Sequence, residues 1–397
     1  MNITTRHHEL LKRFAGLYGG RGETRLLSVP GRSEIGGNHT DHNNGLALAA
    51  AVDLDIVGAA ARSAASTVRV WSAGHPEITI DIGALEPREE EKNTAAALVR
   101  GVCAYFSRSG YPIGGFDAVT TSDVSAGSGL SSSAAFSVLA GAILGTLYGA
   151  GTLEPMELAL AGRFAENRYF GKPSGMLDQT TCAYGGVLSL DFGTDTDSGA
   201  PKIRRLSRDF NEYHHKLCVT GPIGSHEDLT EEYAAIPREM RMVAGRFGAE
   251  RLREVDEAEF TDALPRLYAE LPGRAVLRAM HFFAENRRAG GQITALEAGD
   301  FDTFLSLVRQ SGRSSFMYLQ NVYHGGEQGL ALALALSEQL LGGRGAARVH
   351  GGGFAGTIQA FVPDDMLNVY TRGMERVFGD GTCRVLEIRN TGAAVII

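Results

Sequence analysis

The sequence has few cysteines and lacks both a long apolar run and a cluster of basic residues. Its four cysteines, Cys103, Cys182, Cys218 and Cys383, are far apart and form no CxxC pair. This spacing predicts no disulfide framework and suits a reducing compartment, so we expect a cytoplasmic protein. The N-terminus lacks the apolar region of a signal peptide, and no run of 18 apolar residues occurs. We therefore expect neither export nor a membrane-spanning helix.

Charge and composition narrow the class of protein further. The net charge is −8, the pI is near 5.8, and the lysines and arginines are scattered, which argues against nucleic-acid binding. The 397 residues suffice for two or three domains, without internal repeats. Glycine accounts for 51 of the 397 residues, a share well above the average of about 7%. We expect many tight turns and loops that approach ligands.

The most informative stretch lies between a strand-like segment, Phe116–Thr120, and an Ala/Leu-rich helix, Ala134–Leu147. It contains a segment that we call the serine loop, Gly127-Ser128-Gly129-Leu130-Ser131-Ser132-Ser133. Its glycines permit a tight turn, and its serines precede a helix whose first amides lack partners. Such a helix start attracts phosphate. Ser131 is also an ordinary helix-cap residue, which is the alternative interpretation.

A second polar stretch, Gly31–Gly45, follows a strand predicted over Thr24–Val29 and ended by Pro30-Gly31. We interpret it as a long loop, and long ordered loops between strands are often functional. Its polar side chains can donate and accept the many hydrogen bonds that a sugar requires; they are Arg32, Asn38, His39, Asp41 and Asn43. The HxxH spacing of His39 and His42 leaves metal binding as one alternative, and a simple turn cluster is the other.

Two acidic residues follow the serine loop. Glu166 lies one turn before the end of a helix predicted over Leu153–Phe170, where an acid is unfavourable for the helix dipole. It is either a magnesium ligand or a solvated or salt-bridged side chain, with Arg163 as a partner. Asp178 follows a Gly/Pro turn in weakly polar surroundings. It is either a functional carboxylate or an acid at a helix N-terminus.

The second half of the chain adds a predicted helix, Leu229–Phe247, that contains Tyr233. Farther on, Gly351, Gly353 and Gly356 satisfy GxGxxG. A dinucleotide site would need a helix after this motif, whereas the following residues are β-rich, so we reject that interpretation. A glycine-rich strand–loop–strand can still approach a phosphate or a sugar. Between the halves, Gly193–Pro201 is the best candidate for a domain boundary.

Three motifs occur along the chain in the order typical of the GHMP family of small-molecule kinases, and each resembles the corresponding motif of that family. The serine loop with Ala134-Ala135 is similar to the motif Pro-x-x-x-Gly-Leu-Ser-Ser-Ser-Ala-Ala, and Gly351–Gly356 is similar to the third, glycine-rich motif. The stretch from Gly31 to Asn43 resembles the galactokinase signature Gly-Arg-x-Asn-x-Ile-Gly-Glu-His-Thr-Asp-Tyr-Asn. Gly175–Gln179 resembles the segment around the catalytic aspartate. The resemblance is therefore to the galactokinase branch.

The resemblance implies an α+β fold of two domains, 1–199 and 200–397, with mixed sheets flanked by helices and the active site between the domains. It implies an ATP- and Mg²⁺-dependent kinase, a monomer, that phosphorylates the C1 hydroxyl of galactose. The implied catalytic residues are Asp178 and Arg32, and the implied metal ligands are Ser133 and Glu166. The implied triphosphate-binding residues are Gly127, Ser128, Gly129, Ser131, Ser132 and Ser133. The implied sugar contacts are Asn38, His39, Asp41, Gly175 and Tyr233.

The chain departs from the galactokinase signature at several positions. Asn38 replaces Glu, Glu34 replaces the Asn after Arg, His42 replaces Tyr, and Gly36 replaces Ile; Ser125 replaces the proline that opens the second motif. The first change converts a charged acceptor into a neutral amide. It leaves two alternatives to galactose phosphorylation open. One is a kinase for a galactose derivative such as galacturonate or N-acetylgalactosamine, and the other is a non-catalytic galactose and ATP sensor.

Overall fold

The computed structural model describes residues 4–19, 23–125, 127–149, 154–193, 199–207, 210–224 and 229–397. These residues form two β-sheets with helices packed around them. The first sheet contains β1 (Arg25–Gly36), β2 (Leu46–Arg62), β3 (Thr67–Ser72), β4 (Ile78–Asp81), β5 (Phe116–Ser122), β6 (Val187–Asp191), β7 (Lys202–Leu206) and β12 (Ala394–Val395). The second contains β8 (His215–Ile223), β9 (Ala346–His350), β10 (Gly356–Pro363) and β11 (Cys383–Leu386).

The helices in the described ranges cover both sheets, and none of them is long and apolar enough to cross a membrane. In chain order they are α1 (Thr5–Tyr18), α2 (Ala95–Arg108), α3 (Ser132–Tyr148), α4 (Pro155–Ala165), α5 (Leu177–Tyr184), α6 (Thr230–Ala244), α7 (Glu257–Asp262), α8 (Leu264–Glu270), α9 (Gly273–Ala298), α10 (Phe301–Ser314), α11 (Gly329–Leu341) and α12 (Leu367–Phe378). The sequence patterns did not indicate α7, α8, β7 or β12.

The first sheet has the order β12-β1-β2-β5-β3-β4, and its pairs are antiparallel except β3 with β5. β6 pairs with the first half of β2, and β7 pairs with β6. The second sheet has the order β11-β8-β10-β9 and is antiparallel. β7 and β12 thus join the first sheet although both follow residue 199. The division into domains 1–199 and 200–397 stays a prediction, and the sheets do not divide at that point.

β1 is longer than the sequence predicted, because Pro30 and Gly31 do not end it. The strand continues to Gly36, with irregular register between Pro30 and Arg32 and again between Glu34 and Gly36. Such irregularities accommodate a proline, which cannot donate to the ladder. The predicted loop is therefore shorter and spans only residues 37–45. Arg32 consequently lies on a rigid strand rather than in a loop.

α3 is buried between the first sheet and the helices α4 and α5. Its residues are almost all small or apolar, as expected for a helix that is enclosed on every side. The packing fixes the start of α3, and with it the serine loop, against β1. Residues 351–355 connect β9 to β10 as a hairpin, which confirms that no helix follows the GxGxxG motif.

Candidate active site

Arg32 on β1 and Asp178 in the first turn of α5 form an ion pair. The Arg32 Nη2 lies 2.6 Å from Asp178 Oδ1, and Arg32 Nε donates to the same oxygen at 2.8 Å. The remaining terminal nitrogen, Nη1, donates to the carbonyl oxygen of Gly129 at 2.5 Å. The guanidinium therefore joins β1, α5 and the serine loop at one point.

This pair keeps Asp178 ionised. Burial alone would raise the pKa of the carboxyl group, but the charges of Arg32 and Lys172 and the hydrogen bond from Ser131 outweigh it and hold the pKa below its ordinary value. Asp178 is thus an oriented carboxylate at neutral pH. It suits the acceptance of a hydrogen bond from a hydroxyl group.

Two serines of the serine loop donate hydrogen bonds to two different acidic side chains. Ser131 adopts a left-handed conformation with φ of 61°, and its Oγ donates to Asp178 Oδ2 at 2.6 Å. It occupies the cap position of α3 but makes no side-chain capping bond, which excludes the alternative of an ordinary helix cap. Ser133, in the first turn of the helix, donates from its Oγ to Glu166 Oε1 at 2.5 Å. Neighbouring serines therefore connect the loop to Asp178 and to Glu166.

Gly129 allows the serine loop to approach the glycine-rich hairpin. Its φ is 71°, and a Cβ at this position would lie 2.4 Å from Thr357 Oγ1 and 2.8 Å from His350 Nδ1. No larger residue fits without displacing the hairpin. Gly127 also has a positive φ, of 75°. The phosphate-binding residues expected from the sequence thus lie opposite Gly351–Gly353.

Glu166 is fully buried, so the alternative of a solvated side chain is wrong. Its carboxylate accepts hydrogen bonds from Ser133, from Gln179 at 2.8 Å and from the Ser174 hydroxyl. The chain forms a π-helical turn over Glu166–Phe170, a feature common at functional sites. A carboxylate beside a serine hydroxyl forms an oxygen donor set of the kind that Mg²⁺ binds when phosphates and water complete its coordination. These residues therefore fit a magnesium ion.

The residues expected to contact the sugar lie at the junction of the two sheets. His39 Nε2 lies 3.0 Å from the Gly352 carbonyl oxygen, and the Tyr233 hydroxyl donates to the Gly353 carbonyl at 2.8 Å. A Cβ on Gly175 would lie 2.6 Å from Asp41 Oδ2, so only glycine fits against that carboxylate. His39 and Tyr233 thus contact the glycine-rich hairpin, and Gly175 lies against Asp41. Of these four residues, Tyr233 lines the same cavity as Asp178.

Asn38 does not fit the role expected from the sequence. Its side chain is fully buried, and its Nδ2 donates to Glu34 Oε1 at 2.9 Å and to the Gly351 carbonyl at 2.8 Å. Its Oδ1 accepts from Asn321 Nδ2 at 2.9 Å and from Ser315 Oγ at 3.3 Å. An amide has two donors and two acceptor positions, and all four are used. In this arrangement Asn38 supports the loop at residues 37–45, which we call the sugar loop, but has no capacity left for a sugar hydroxyl.

A cavity of about 260 Å³ lies where these elements meet. Arg32, Lys172, Asp178 and Tyr233 line it together with the serine loop and the glycine-rich hairpin. A larger cavity of about 660 Å³ opens elsewhere, near His214 and Asp302, and it contains none of these residues. The chemistry of the lining residues, rather than size, therefore identifies the candidate site.

Known proteins match this chain in the same regions. The model of the GHMP kinases N terminal domain matches residues 97–186, and the galactokinase galactose-binding signature matches residues 12–62. The galactokinase of Glaesserella parasuis is 30% identical over 354 residues, which is 87% of each chain. This chain belongs to the galactokinase family. The galactokinase of a Roseiflexus species is 29% identical over 384 residues, 96% of this chain and 94% of its own.

Solved structures show the same fold. The galactokinase of Lactococcus lactis complexed with galactose has a TM-score of 0.84 and 24% identity, covering 98% of this chain and all of that one. The mevalonate kinase of Methanococcus jannaschii has a TM-score of 0.64 and 15% identity, covering 93% and 99%. The predicted GHMP kinase fold and galactokinase branch are confirmed. Membership of the family identifies the chain as a sugar kinase and implies the use of ATP.

One buried residue of this galactokinase-family chain was missed from the sequence. Glu285 on α9 accepts hydrogen bonds from the backbone amides of Gly37 and Asn38, at 3.2 and 3.3 Å, and from Ser311 Oγ at 2.6 Å. Burial alone would raise its pKa, but the nearby positive charges, that of Arg288 above all, lower the pKa to about 2. Glu285 therefore anchors the sugar loop as a carboxylate. It lies 248 positions from Gly37 in a helix with ordinary periodicity, so no sequence signal marked it.

Proposed function

We propose that this protein transfers the γ-phosphoryl group of ATP to the C1 hydroxyl of galactose, which yields galactose 1-phosphate and ADP. The observation that carries this proposal is the Arg32–Asp178 pair, which is bonded to the serine loop through Gly129 and Ser131. A carboxylate held ionised beside a phosphate-binding helix start can orient a hydroxyl group toward a phosphoryl group.

Each residue has one role in the proposed reaction. Asp178 accepts a hydrogen bond from the C1 hydroxyl and orients its oxygen toward the γ-phosphorus. The new O–P bond forms as the bond to the ADP oxygen breaks, and the hydroxyl proton leaves through Asp178 or to water. Arg32 holds Asp178 in place and keeps it ionised. The serine loop binds the triphosphate through its backbone amides at Gly127, Gly129 and Ser131–Ser133. Ser128, also expected to do so from the sequence, is not included, because its amide and its hydroxyl donate to the Ser125 carbonyl at 3.3 and 2.5 Å.

Ser133 and Glu166 would hold Mg²⁺, since they present adjacent oxygen ligands. The ion would neutralise phosphate charge and orient the triphosphate. His39, Asp41, Gly175 and Tyr233 are proposed to contact the sugar, whereas Asn38 supports their loop. We also propose a monomer, because all the residues assigned a role here belong to one chain. The four cysteines are free thiols, which supports the proposed cytoplasmic location.

A coupled assay of ADP release tests the proposal. Purified protein with ATP and Mg²⁺ should release ADP when galactose is added, and ³¹P NMR should detect a sugar 1-phosphate. The same assay with galacturonate, N-acetylgalactosamine, arabinose and mevalonate separates galactose from related substrates. Calorimetric binding of galactose and ATP without turnover on any sugar would contradict the kinase and identify a sensor.

A further inference from the structure

Lys172 is a lysine of the candidate site to which neither the sequence motifs nor the family resemblance assigns a role. It follows the π-helical turn, in the short segment between Gly171 and Gly175. Its backbone amide donates to the Glu166 carbonyl at 3.0 Å. Two residues on, Ser174 is held by the side chain of Asn167, which accepts from its amide at 2.6 Å and donates to its carbonyl at 3.1 Å. The backbone that carries Lys172 is therefore fixed.

The ammonium group of Lys172, in contrast, is weakly held. Its Nζ lies 4.0 Å from Glu166 Oε1, outside hydrogen-bond distance, and the side chain is 50% exposed. Among the described residues, Glu166 is the acid with which Lys172 forms an ion pair, and this pair is long. Glu166 does not depend on it, because neutral donors from Ser133, Ser174 and Gln179 already occupy the carboxylate. The ammonium group is free to reach an anion in the cavity that it lines.

The second cation of the cavity is already committed. Arg32 uses Nε and Nη2 on Asp178 and Nη1 on the carbonyl of Gly129. Burial and the charges of Arg32 and Arg348 hold the pKa of His350 well below its ordinary value, so this lining residue is neutral. Of the described residues that line the cavity, Lys172 alone combines a positive charge with uncommitted donors. A bound triphosphate needs such a charge, because transfer of its γ-phosphoryl group depends on positioned cations that neutralise the negative charge of the phosphate oxygens.

We infer that Lys172 is a catalytic residue that binds the transferring γ-phosphoryl group. The inference rests on the proposed function. Lys172 keeps its protons throughout, and its ammonium group donates hydrogen bonds to the non-bridging oxygens as the bond to C1 oxygen forms and the bond to ADP breaks. Lys172 lies next to the proposed metal ligand Glu166 and lines the same cavity as the Arg32–Asp178 pair.

Substitution of Lys172 tests the inference against a matched lysine. Lys172→Met should lower kcat by about 10²–10³-fold, the usual loss when one donor to a developing charge is removed. The KM for galactose should stay within about twofold, because the sugar contacts are unchanged. Lys172→Arg should retain far more activity than Lys172→Met. Lys92→Met is the control, since Lys92 is also 50% exposed but pairs with Glu89 at 2.6 Å outside the cavity.

A second measurement separates phosphoryl binding from a structural role. Lys172→Met should bind ADP as the wild type does but lose at least tenfold in affinity for ADP with fluoroaluminate, a mimic of the transferring group. If the urea midpoint of Lys172→Met falls, Lys172→Gln and Lys172→Arg replace it in both measurements. A kcat within twofold of the wild type in Lys172→Met would overturn the inference. Failure of the wild type to release ADP with any sugar would instead overturn the proposed function.

Discussion

Ser131 and Asp178, 47 positions apart, share a hydrogen bond of 2.6 Å between the serine Oγ and the carboxylate Oδ2. Ser131 occupies the cap position of α3, yet its side chain leaves the helix uncapped and points to α5. The bond connects the proposed phosphate loop directly to the proposed catalytic carboxylate. Both must therefore move together, and changes at either residue should affect the same step.

Ser131→Gly should lower kcat and move the acid limb of the pH–rate profile to higher pH. The hydrogen bond from Ser131 favours the charged form of Asp178, so its loss raises the pKa of Asp178. Glycine tolerates the positive φ at this position, which separates the effect from backbone strain. Rates measured from about pH 7 down to about pH 3 give the shift, because the pKa of Asp178 lies below its ordinary value. An acid limb that coincides with that of the wild type would show that the hydrogen bond does not tune Asp178.

Asp178→Asn should reduce kcat by at least about 10²-fold while galactose and ATP still bind. The amide keeps the size of the side chain but lacks the charge and the basicity that the hydroxyl requires. Calorimetry for binding and ADP release for turnover measure the two effects. Asp81→Asn, at the exposed end of β4, is the control. Near wild-type turnover in Asp178→Asn would remove Asp178 from the catalytic role.

Glu166→Gln should raise the Mg²⁺ concentration needed for half-maximal rate by about tenfold or more. An amide is a weaker ligand for a hard cation than a carboxylate. Titration of the initial rate with Mg²⁺ at saturating ATP measures the change. Glu157→Gln is a matched control because Glu157 lies at the other end of α4, where its partner is the Tyr105 hydroxyl. Equal Mg²⁺ dependence in the two variants would argue against a metal site at Glu166.

Asn38→Glu should destabilise the protein by about 3–5 kcal/mol, because it buries a second carboxylate in contact with Glu34. The double variant Glu34→Asn/Asn38→Glu, which restores the order of the galactokinase signature, should recover part of the loss. Urea unfolding of the wild type, both single variants and the double variant gives the coupling energy, expected at about 1–3 kcal/mol. Additive effects would show that the exchange at these two positions is not coupled.

Acidification should reduce the stability of the protein below about pH 6.5. Burial, with the charge of His42, lowers the pKa of His39 from 6.5 to about 4. Between these values the unfolded chain binds a proton that the folded protein does not, so the free energy of unfolding falls as the pH falls, by up to about 1.4 kcal/mol per pH unit. His39→Gln should show a shallower slope between pH 7 and pH 5. Exposed His75→Gln is the control, and parallel slopes for all three proteins would contradict the assignment.

Local patterns in the sequence predicted most of the helices and strands and the motifs of the site. Glycines and serines before an Ala/Leu-rich run predicted a phosphate loop, because turn preference and unpaired amides are local properties. The β-rich residues from Gly356 onward correctly predicted a strand rather than a helix at this point. The end of β1 was predicted wrongly, because Pro30 is tolerated where the register of β1 and β2 is irregular, and only the paired strand reveals this.

The tertiary structure alone decided which polar groups are occupied and which are free. Asn38 could be assigned to the sugar from its place in the signature, but contacts from residues as distant as Asn321 use its whole hydrogen-bonding capacity. Glu285 gained its position in the same way, from partners on other elements. Lys172 lines the cavity only because the serine loop and the glycine-rich hairpin pack against its segment. A sequence specifies how many hydrogen bonds a side chain can make. Which of them remain for a ligand depends on long-range packing, and that is settled only when the two sheets and their helices close around the site.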